Sequence, residues 1–322
     1  MSGAKQILYF VFILCIIGCN SDNSSDSSDS NINEISIIID DVLWNGDVGD
    51  SLRKKLAAPV EGLTQEEPLF TLNQYNEKVF GGKLTKGRNI IVIDKDTINS
   101  FTEKTNRYCR PQNVFTIRGK NAQEILFLIE IHADEIIRAI KETEVNENQQ
   151  RNIKSGLVSH GVFEKFGVCI NVPSTYTYAI NNNDFLWLKK DTPGGNTSLL
   201  LYRVPCNVIE RDKTILNNII KMRDSVGARY IHGQDDNTFM VTEEAYSPYF
   251  FTTSYHNKMV FETRGNWEMK NDFMNGPFIN YAVRDDKNNS YLVIEGFIYS
   301  PSSPKRDLIV ELESIIRSAE FL

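Results

Sequence analysis

Residues 291–316 of the chain, YLVIEGFIYSPSSPKRDLIVELESII, contain a strand pattern followed at once by a helix pattern. Residues 291–299 are mostly apolar, which predicts a buried strand. Ser303 and Pro304 then favour the start of a helix. Its apolar side chains fall on a single face, at Leu308, Ile309, Leu312, Ile315 and Ile316. A strand followed by a helix with one apolar face indicates a sheet with helices packed against it.

The same order, strands first and then a helix, recurs in the first half of the chain. Asn121 and Glu124 have the spacing of a capping box, with Asn121 at the N-cap and Glu124 at N3 of a helix. Gly227 is the expected end of a later helix. We therefore expect an α+β or α/β fold of mixed, largely antiparallel sheets with packed helices. Whether the two halves are related α/β sandwiches stays open. Strands are predicted at 34–41, 89–94, 114–118, 167–172, 185–189, 198–204, 238–242, 259–264 and 280–283, and helices at 51–56, after 121, at 146–166 and at 213–226.

The N-terminus has the pattern of an export signal. Lys5 precedes the apolar run 7–17, whose eleven residues would rise only about 17 Å as a helix, against about 30 Å of membrane hydrocarbon. The run therefore predicts a signal peptide, residues 1–18, rather than a membrane span. Ile16-Ile17-Gly18-Cys19 resembles the bacterial lipobox, in which the cysteine becomes the acylated N-terminus of the mature protein. We expect Cys19 to carry the lipid.

Residues 20–33 are Ser, Asp and Asn with one Ile, a composition that predicts disorder because it offers no apolar surface to bury. The expected organisation is a lipidated cysteine and tether at 19–33, an N-terminal half at 34–166 and a C-terminal half at 167–322. The net charge of the chain is −7, which argues against a nucleic-acid partner.

Three cysteines lie in the body of the chain, Cys109, Cys169 and Cys206. An exported protein with three such residues can form one internal disulfide, and Cys169 with Cys206 is the favoured pair because both lie on or beside predicted strands of one region. The alternative is that all three are small buried apolar residues.

Several stretches resemble a known family. They are IIIDDVLWNGDVGDSLRKKL, QEEPLF, RNIIVI, INVPSTY, DFLWLKK, RGNWEMKNDFMNGPFINYAV, YLVIEGFIYSP and KRDLIVELESI. Their order and wording are similar to those of the uncharacterised Bacteroidetes lipoprotein family called domain of unknown function 4837, from Glu34 to the end of the chain. The resemblance implies an envelope lipoprotein. It implies no activity, cofactor or catalytic residue.

The sequence contains no complete motif for metal binding or catalysis. Its histidines, His132, His160, His232 and His256, lack the spacing of a zinc site, and neither HExxH nor GxSxG occurs. We therefore predict no metal and no cofactor.

The stretch 264–278 is the best candidate for contact with a ligand or partner. It contains Arg264, Trp267, Lys270 and Met274, a mixture of aromatic, cationic and thioether side chains that binding surfaces use. The alternative is a long crossover whose Trp267, Phe273 and Phe278 fill the core.

Three functions remain open at this point. The first is a non-catalytic protein, anchored in the envelope by its lipid, that binds a ligand or an envelope protein or glycan partner. The second is an envelope hydrolase acting on glycan or lipid through carboxylates such as Glu66 and Glu67. The third is a scaffolding or assembly lipoprotein. All three place the chain at the bacterial envelope, on the periplasmic or surface face of the outer membrane.

Overall fold

A computed structural model describes residues 27–156 and 161–321. The predictions for the signal peptide, Cys19 and His160 lie outside these residues. Within them the chain forms two domains, each with its own sheet. No helix among the described residues combines the length and the apolar character needed to cross a membrane.

The N-terminal domain is a mixed five-stranded sheet with helices. Its strand order is β2-β1-β3-β5-β4, with β4 antiparallel to β5 and the other pairs parallel. The predicted runs EISII and NIIVID form neighbouring central strands, buried on both faces as parallel strands usually are. The elements are β1 (Glu34–Ile38), α1 (Asp41–Trp44), α2 (Asp47–Leu56), β2 (Thr71–Tyr75), β3 (Asn89–Lys95), β4 (Ser100–Thr105), β5 (Asn113–Gly119) and α3 (Ala122–Lys154).

The C-terminal domain is an antiparallel eight-stranded sheet with helices on both faces. Its order is β10-β12-β13-β14-β9-β8-β7, and β11 pairs with β12 beside β10. The elements are α4 (Val162–Phe166), β6 (Val168–Cys169), β7 (Thr177–Asn181), β8 (Phe185–Thr192), β9 (Gly195–Pro205), α5 (Cys206–Ile209), α6 (Ile215–Tyr230), β10 (Phe239–Thr242), β11 (Tyr249–Tyr255), β12 (Lys258–Lys270), β13 (Asn275–Asp285), β14 (Ser290–Tyr299), α7 (Arg306–Ile316) and β15 (Glu320–Phe321).

Strand β14 lies in the middle of this sheet and is buried on both faces, as the sequence predicts. Because side chains alternate along a strand, Leu292 and Ile294 join the core under α7, whereas Val293 and Phe297 join the core under α6. A Cβ at Gly296 would lie 3.0 Å from the Leu312 Cβ, so the glycine lets α7 approach the strand closely.

Glu295 is a charged residue within this apolar strand, and its carboxylate has a buried charge partner. Its carboxylate accepts hydrogen bonds from Arg223 of α6 at 2.6 and 2.9 Å, and both side chains are 1% exposed. Asn280 Nδ2 donates to the same carboxylate at 2.7 Å. The pair lies in the core under α6, where removing one partner would leave an uncompensated charge.

Several predicted boundaries are wrong; for example, the strand predicted at 167–172 covers only Val168–Cys169. Helix α6 continues through Gly227 to Tyr230, and a Cβ at Gly227 would lie 2.0 Å from the Met240 oxygen, so the glycine serves packing rather than termination. The single predicted helix over 146–166 is divided between α3 and α4. Since Val162 and Phe166 of α4 join the C-terminal core, the domain boundary lies before 166.

The halves are not two copies of one fold, because one sheet is largely parallel and the other antiparallel.

The predicted disulfide is not formed, because Cys169 and Cys206 are both free thiols. Cys169 is exposed on β6, a short strand that pairs with β15. Cys206 begins α5 and is buried in the core under α6, as the alternative prediction for the cysteines describes.

The end of the predicted tether, residues 27–33, is docked on the N-terminal domain. Arg88 Nη2 donates to the backbone oxygen of Asn31 at 2.9 Å, and its Nη1 donates to Ser28 Oγ at 3.3 Å. Arg88 is fully buried and also donates to Glu144 of α3 at 3.0 Å. The guanidinium therefore binds polar groups of a segment that has little apolar surface of its own.

We predict that Arg88→Met destabilises the N-terminal domain by about 3–5 kcal/mol, because it leaves the Glu144 carboxylate buried without its charge partner. Urea unfolding measures the loss. Arg118→Met is the matched control: Arg118 lies 3.6 Å from Asp94 and is 46% exposed, so its removal should cost about 1 kcal/mol or less. Equal losses in the two variants would contradict this account.

Candidate functional site

A cleft separates the two domains, between residues 58–66 of the N-terminal domain and strands β11 and β12 of the C-terminal domain. Pro59 and Val60 line both of its recesses. The first, here called the lysine recess, has a volume of about 380 Å³ and is lined by Lys55, Glu61, Ile137, Lys141, Phe251, Glu262 and Arg264, among others. The second, called the tyrosine recess, has a volume of about 430 Å³ and is lined by Gly62, Leu63, Thr64, Glu66, Tyr246, Ser247, Tyr249, Gly265 and Asn266.

The contact of α3 with α7 holds the walls of the cleft in position. Gln149 Nε2 of α3 donates to the Ser314 backbone oxygen at 3.0 Å. Arg317, directly after α7, donates to Glu142 of α3 at 2.7 Å. These bonds join elements of different domains, so the geometry of the cleft follows from the packing of two helices.

Glu67 strengthens this junction by capping α7 from the other domain. Its carboxylate accepts hydrogen bonds from the backbone nitrogens of Lys305 at 2.7 Å and Arg306 at 2.9 Å. The first N–H groups of a helix have no partner inside the helix and carry partial positive charge, so a carboxylate stabilises them. Lys305, at the N-cap position, supplies no side-chain cap of its own.

Gly62 permits the close approach of the two walls. Its φ is +83°, a left-handed conformation that favours glycine, and a Cβ there would lie 3.1 Å from the Arg264 Cβ. An alanine at this position would be strained by its backbone and crowded against β12.

Arg264 lies between two carboxylates at the cleft. It donates to Glu262 at 2.5 Å and to Glu313 of α7 at 2.9 Å. Burial by itself would raise the pKa of Glu313, but the charges of Arg264, Arg317 and Lys141 hold that pKa below its ordinary value. Glu313 therefore stays ionised at neutral pH and contributes stability that is lost as the pH falls through its lowered pKa.

Lys141 extends from α3 into the lysine recess and makes no hydrogen bond or ion pair with a described residue. Lys141 is an exposed residue overall, and its amine is only partly desolvated; this partial desolvation, and then the charge of Arg264, lower the pKa of the amine from 10.5. The charges of Glu313, Glu61 and Glu262 oppose this effect. A ligand with an acceptor group could bind this ammonium without first displacing a protein partner.

The structure separates the four contact residues predicted from the sequence. Arg264 faces α7, whereas Trp267 is 1% exposed in the core under α6, where its Nε1 donates to the Ile298 oxygen at 3.1 Å. Lys270 is exposed near the Phe239 ring, and Met274 is half-buried beside the core under α6. Of the four, Arg264 alone lines the cleft.

Residues 264–278 form a hairpin rather than the long crossover of the alternative prediction. Strands β12 and β13 pair directly and are joined by a short turn at 271–274. That prediction is right that Trp267 and Phe278 fill the core and wrong about Phe273, which is 99% exposed at the turn.

The described histidines have structural contacts. His132 stacks on Phe101 with ring centres 3.8 Å apart, and its Nδ1 lies 3.0 Å from Glu135. His232 Nε2 lies 2.9 Å from the Ala228 oxygen, and His256 occupies the turn between β11 and β12 with a φ of 48°. Within residues 27–156 and 161–321, no group of three His, Cys, Asp or Glu is arranged to hold a metal ion.

Two family models match the chain, one for each domain. Residues 157–318, half of the chain, match the model described as Domain of unknown function (DUF4837). The chain belongs to this family. Residues 28–153 match a second model, Domain of unknown function (DUF8532). A search of the curated proteins found no match.

The DUF4837 match is shorter than the predicted resemblance, which began at Glu34, because a different model covers the N-terminal domain. The cleft is lined by residues of both matched regions. Arg264 and Tyr249 fall within the DUF4837 match, and Gly62 and Lys141 fall within the other.

Sequence reasoning missed most of the cleft. Lys141, Glu262 and Tyr249 come from segments far apart in the chain, and none belongs to a short motif. One signal in the sequence could have pointed to Lys141: it directly follows Ile140, a buried residue on the apolar face of α3.

We predict that Glu67→Ala lowers the free energy of unfolding by about 1–2 kcal/mol, because α7 loses its cap and the domains lose a contact. Glu66→Ala is the matched control, since Glu66 is the adjacent carboxylate and is exposed. Urea unfolding of both variants checks the difference. A loss as large in Glu66→Ala would contradict the capping role.

Proposed function

We propose that the chain is a non-catalytic ligand-binding protein of the bacterial envelope, exported and anchored by lipid at Cys19, and that its ligand occupies the cleft between the domains. The observation that carries this proposal is the cleft itself. Its recesses have volumes of about 380 and 430 Å³, within the range of small-ligand sites. Both domains contribute walls, and the Lys141 ammonium faces one recess without a described partner.

The attachment to the envelope rests on the sequence Ile16-Ile17-Gly18-Cys19. Ser27, the first residue that the structure describes, contacts Arg110 through a β-bridge. The eight Cα–Cα steps from Cys19 to Ser27 can span at most about 29 Å. A lipid on Cys19 would therefore keep the N-terminal domain close to the surface of the outer membrane.

The positions of the carboxylates favour binding over hydrolysis. A glycosidase uses two carboxyl groups that face its substrate. Of the pair named from the sequence, Glu67 is bound to the N-terminus of α7, whereas Glu66 faces the cleft. Glu61 also faces the cleft, but it lines the lysine recess and Glu66 lines the tyrosine recess, so the two do not face one recess together. Glu262 and Glu313 are both engaged by Arg264.

We predict that Cys19→Ser moves the protein from the membrane fraction to the soluble fraction of a bacterial host, because the acylated thioether can no longer form. Fractionation followed by immunoblotting measures the distribution, with Cys169→Ser, at the exposed free thiol, as the control. A Cys19→Ser protein that stays in the membrane fraction would exclude the lipid anchor.

We predict that the chain purified from its own envelopes retains a bound molecule, detected as added mass by native mass spectrometry. Val60→Trp should lower the bound fraction at least tenfold, because Val60 lines both recesses and the larger ring would fill them.

Val79→Trp is the control, since Val79 is 60% exposed and lies away from the cleft. A bound mass that Val60→Trp leaves unchanged would place the ligand elsewhere. The lack of any bound mass in the unmodified chain would contradict the proposal.

A further inference from the structure

The tyrosine recess opens where the edge of β12 changes its partner strand. Strand β11 begins at Tyr249, which pairs with Arg264 of β12, and strand β10 ends at Thr242, which pairs with Trp267 of β12. Gly265 and Asn266 lie between these two pairings, and residues 243–248 leave the sheet edge there. The segment Gly62–Glu66 of the other domain forms the opposite wall.

Two aromatic side chains line this recess, and the backbone between them is restricted. Tyr246 is 68% exposed and Tyr249 is 47% exposed. Between them Pro248 is buried, and a Cβ at Gly265 would lie only 3.0 Å from the Pro248 Cβ. Proline restricts the backbone and the close packing holds it, so the backbone next to Tyr249 loses little freedom on binding.

The inner wall offers a buried polar group that lacks a partner. Asn266 is 8% exposed, and its Oδ1 accepts no hydrogen bond within the described chain. A buried acceptor without a donor is costly, but this oxygen is closed to solvent, so the amide side chain would have to rotate before a ligand hydroxyl could donate to it. Thr64 and Glu66, both exposed, add a hydroxyl and a carboxylate on the opposite wall.

The charge of the lining distinguishes the two recesses. Lys55, Lys141 and Arg264 line the lysine recess, whereas the described lining of the tyrosine recess has Glu66 as its sole charged side chain. A phosphate or carboxylate ligand would meet no cation there. The lining suits a neutral molecule that combines hydroxyl groups with apolar C–H faces.

We propose that the tyrosine recess binds a sugar ring of a neutral glycan, with Tyr246 and Tyr249 contacting its C–H faces and Thr64 and Glu66 accepting its hydroxyl protons. This inference rests on the proposed function, because it identifies the ligand class of the same cleft. In this proposal the saccharide ring binds in the tyrosine recess, and another part of the same ligand occupies the lysine recess.

The test titrates the full chain, held in a sugar-free detergent, with neutral oligosaccharides of four to six residues built from glucose, xylose, mannose or N-acetylglucosamine. Isothermal titration calorimetry measures each affinity. At least one oligosaccharide should bind, and Tyr246→Ala and Tyr249→Ala should each weaken its binding at least tenfold. Phe273→Ala should leave the affinity unchanged, since Phe273 is 99% exposed at the distant β12–β13 turn.

Urea unfolding of each variant separates loss of the contact from loss of the fold. A failure of all these oligosaccharides to bind, or equal weakening by Phe273→Ala, would overturn the inference. Photo-crosslinking from position 249 to a protein in native envelopes, without glycan binding, would overturn it too and would assign the aromatic pair to a protein partner.

Different results would contradict the ligand-binding proposal and the glycan inference. If native mass spectrometry shows a bound molecule that is lost in Val60→Trp but is not a saccharide, the cleft binds a ligand and the glycan inference is wrong. If neither that mass nor an oligosaccharide binds, both proposals are wrong.

Discussion

The packing of α7 between the antiparallel sheet and α3 is the contact on which the rest of the structure depends. One face of the helix places Ile309, Leu312 and Ile315 in the core of the C-terminal domain. Elsewhere on the helix, the Ser314 backbone oxygen accepts a hydrogen bond from α3. Because α7 belongs to one core and is capped by a carboxylate of the other domain, the position of each domain is set by the other. The cleft is a consequence of that arrangement.

Three buried or partly buried Arg–Glu pairs lie where separate parts of the chain meet. Arg88 with Glu144 binds the N-terminal segment, Arg223 with Glu295 joins α6 to the central strand, and Arg264 with Glu313 joins β12 to α7. Such pairs add little net stability over well-packed apolar residues, yet removing one partner is costly. Their physical effect here is to restrict how elements can be assembled. At Arg264 the same restriction shapes the wall of the candidate site.

The predictable parts of the fold are those with a strong local pattern. The strand at Tyr291–Tyr299 and the apolar face of α7 followed from periodicity, and Asn121 caps α3 as predicted, its side chain accepting from the Glu124 backbone nitrogen. Gly227 was misjudged because a glycine that ends a helix and one that lets a strand approach look alike in sequence. The docking of residues 27–33 was missed because their partner, Arg88, is remote in the chain. Of the candidate site, sequence pattern identified Arg264 and Glu66.

What the sequence by itself determined is the presence of strands and helices and the mixed fold class; its N-terminal pattern also predicts an exported lipoprotein. These depend on local periodicity and on short motifs, which a single segment carries alone. The tertiary structure decided the different topologies of the two sheets, the pairing of the buried charges and the existence of the cleft. Each of these requires side chains from distant segments to meet, and the free energy that selects such contacts comes from desolvation and packing across elements, which no local pattern records.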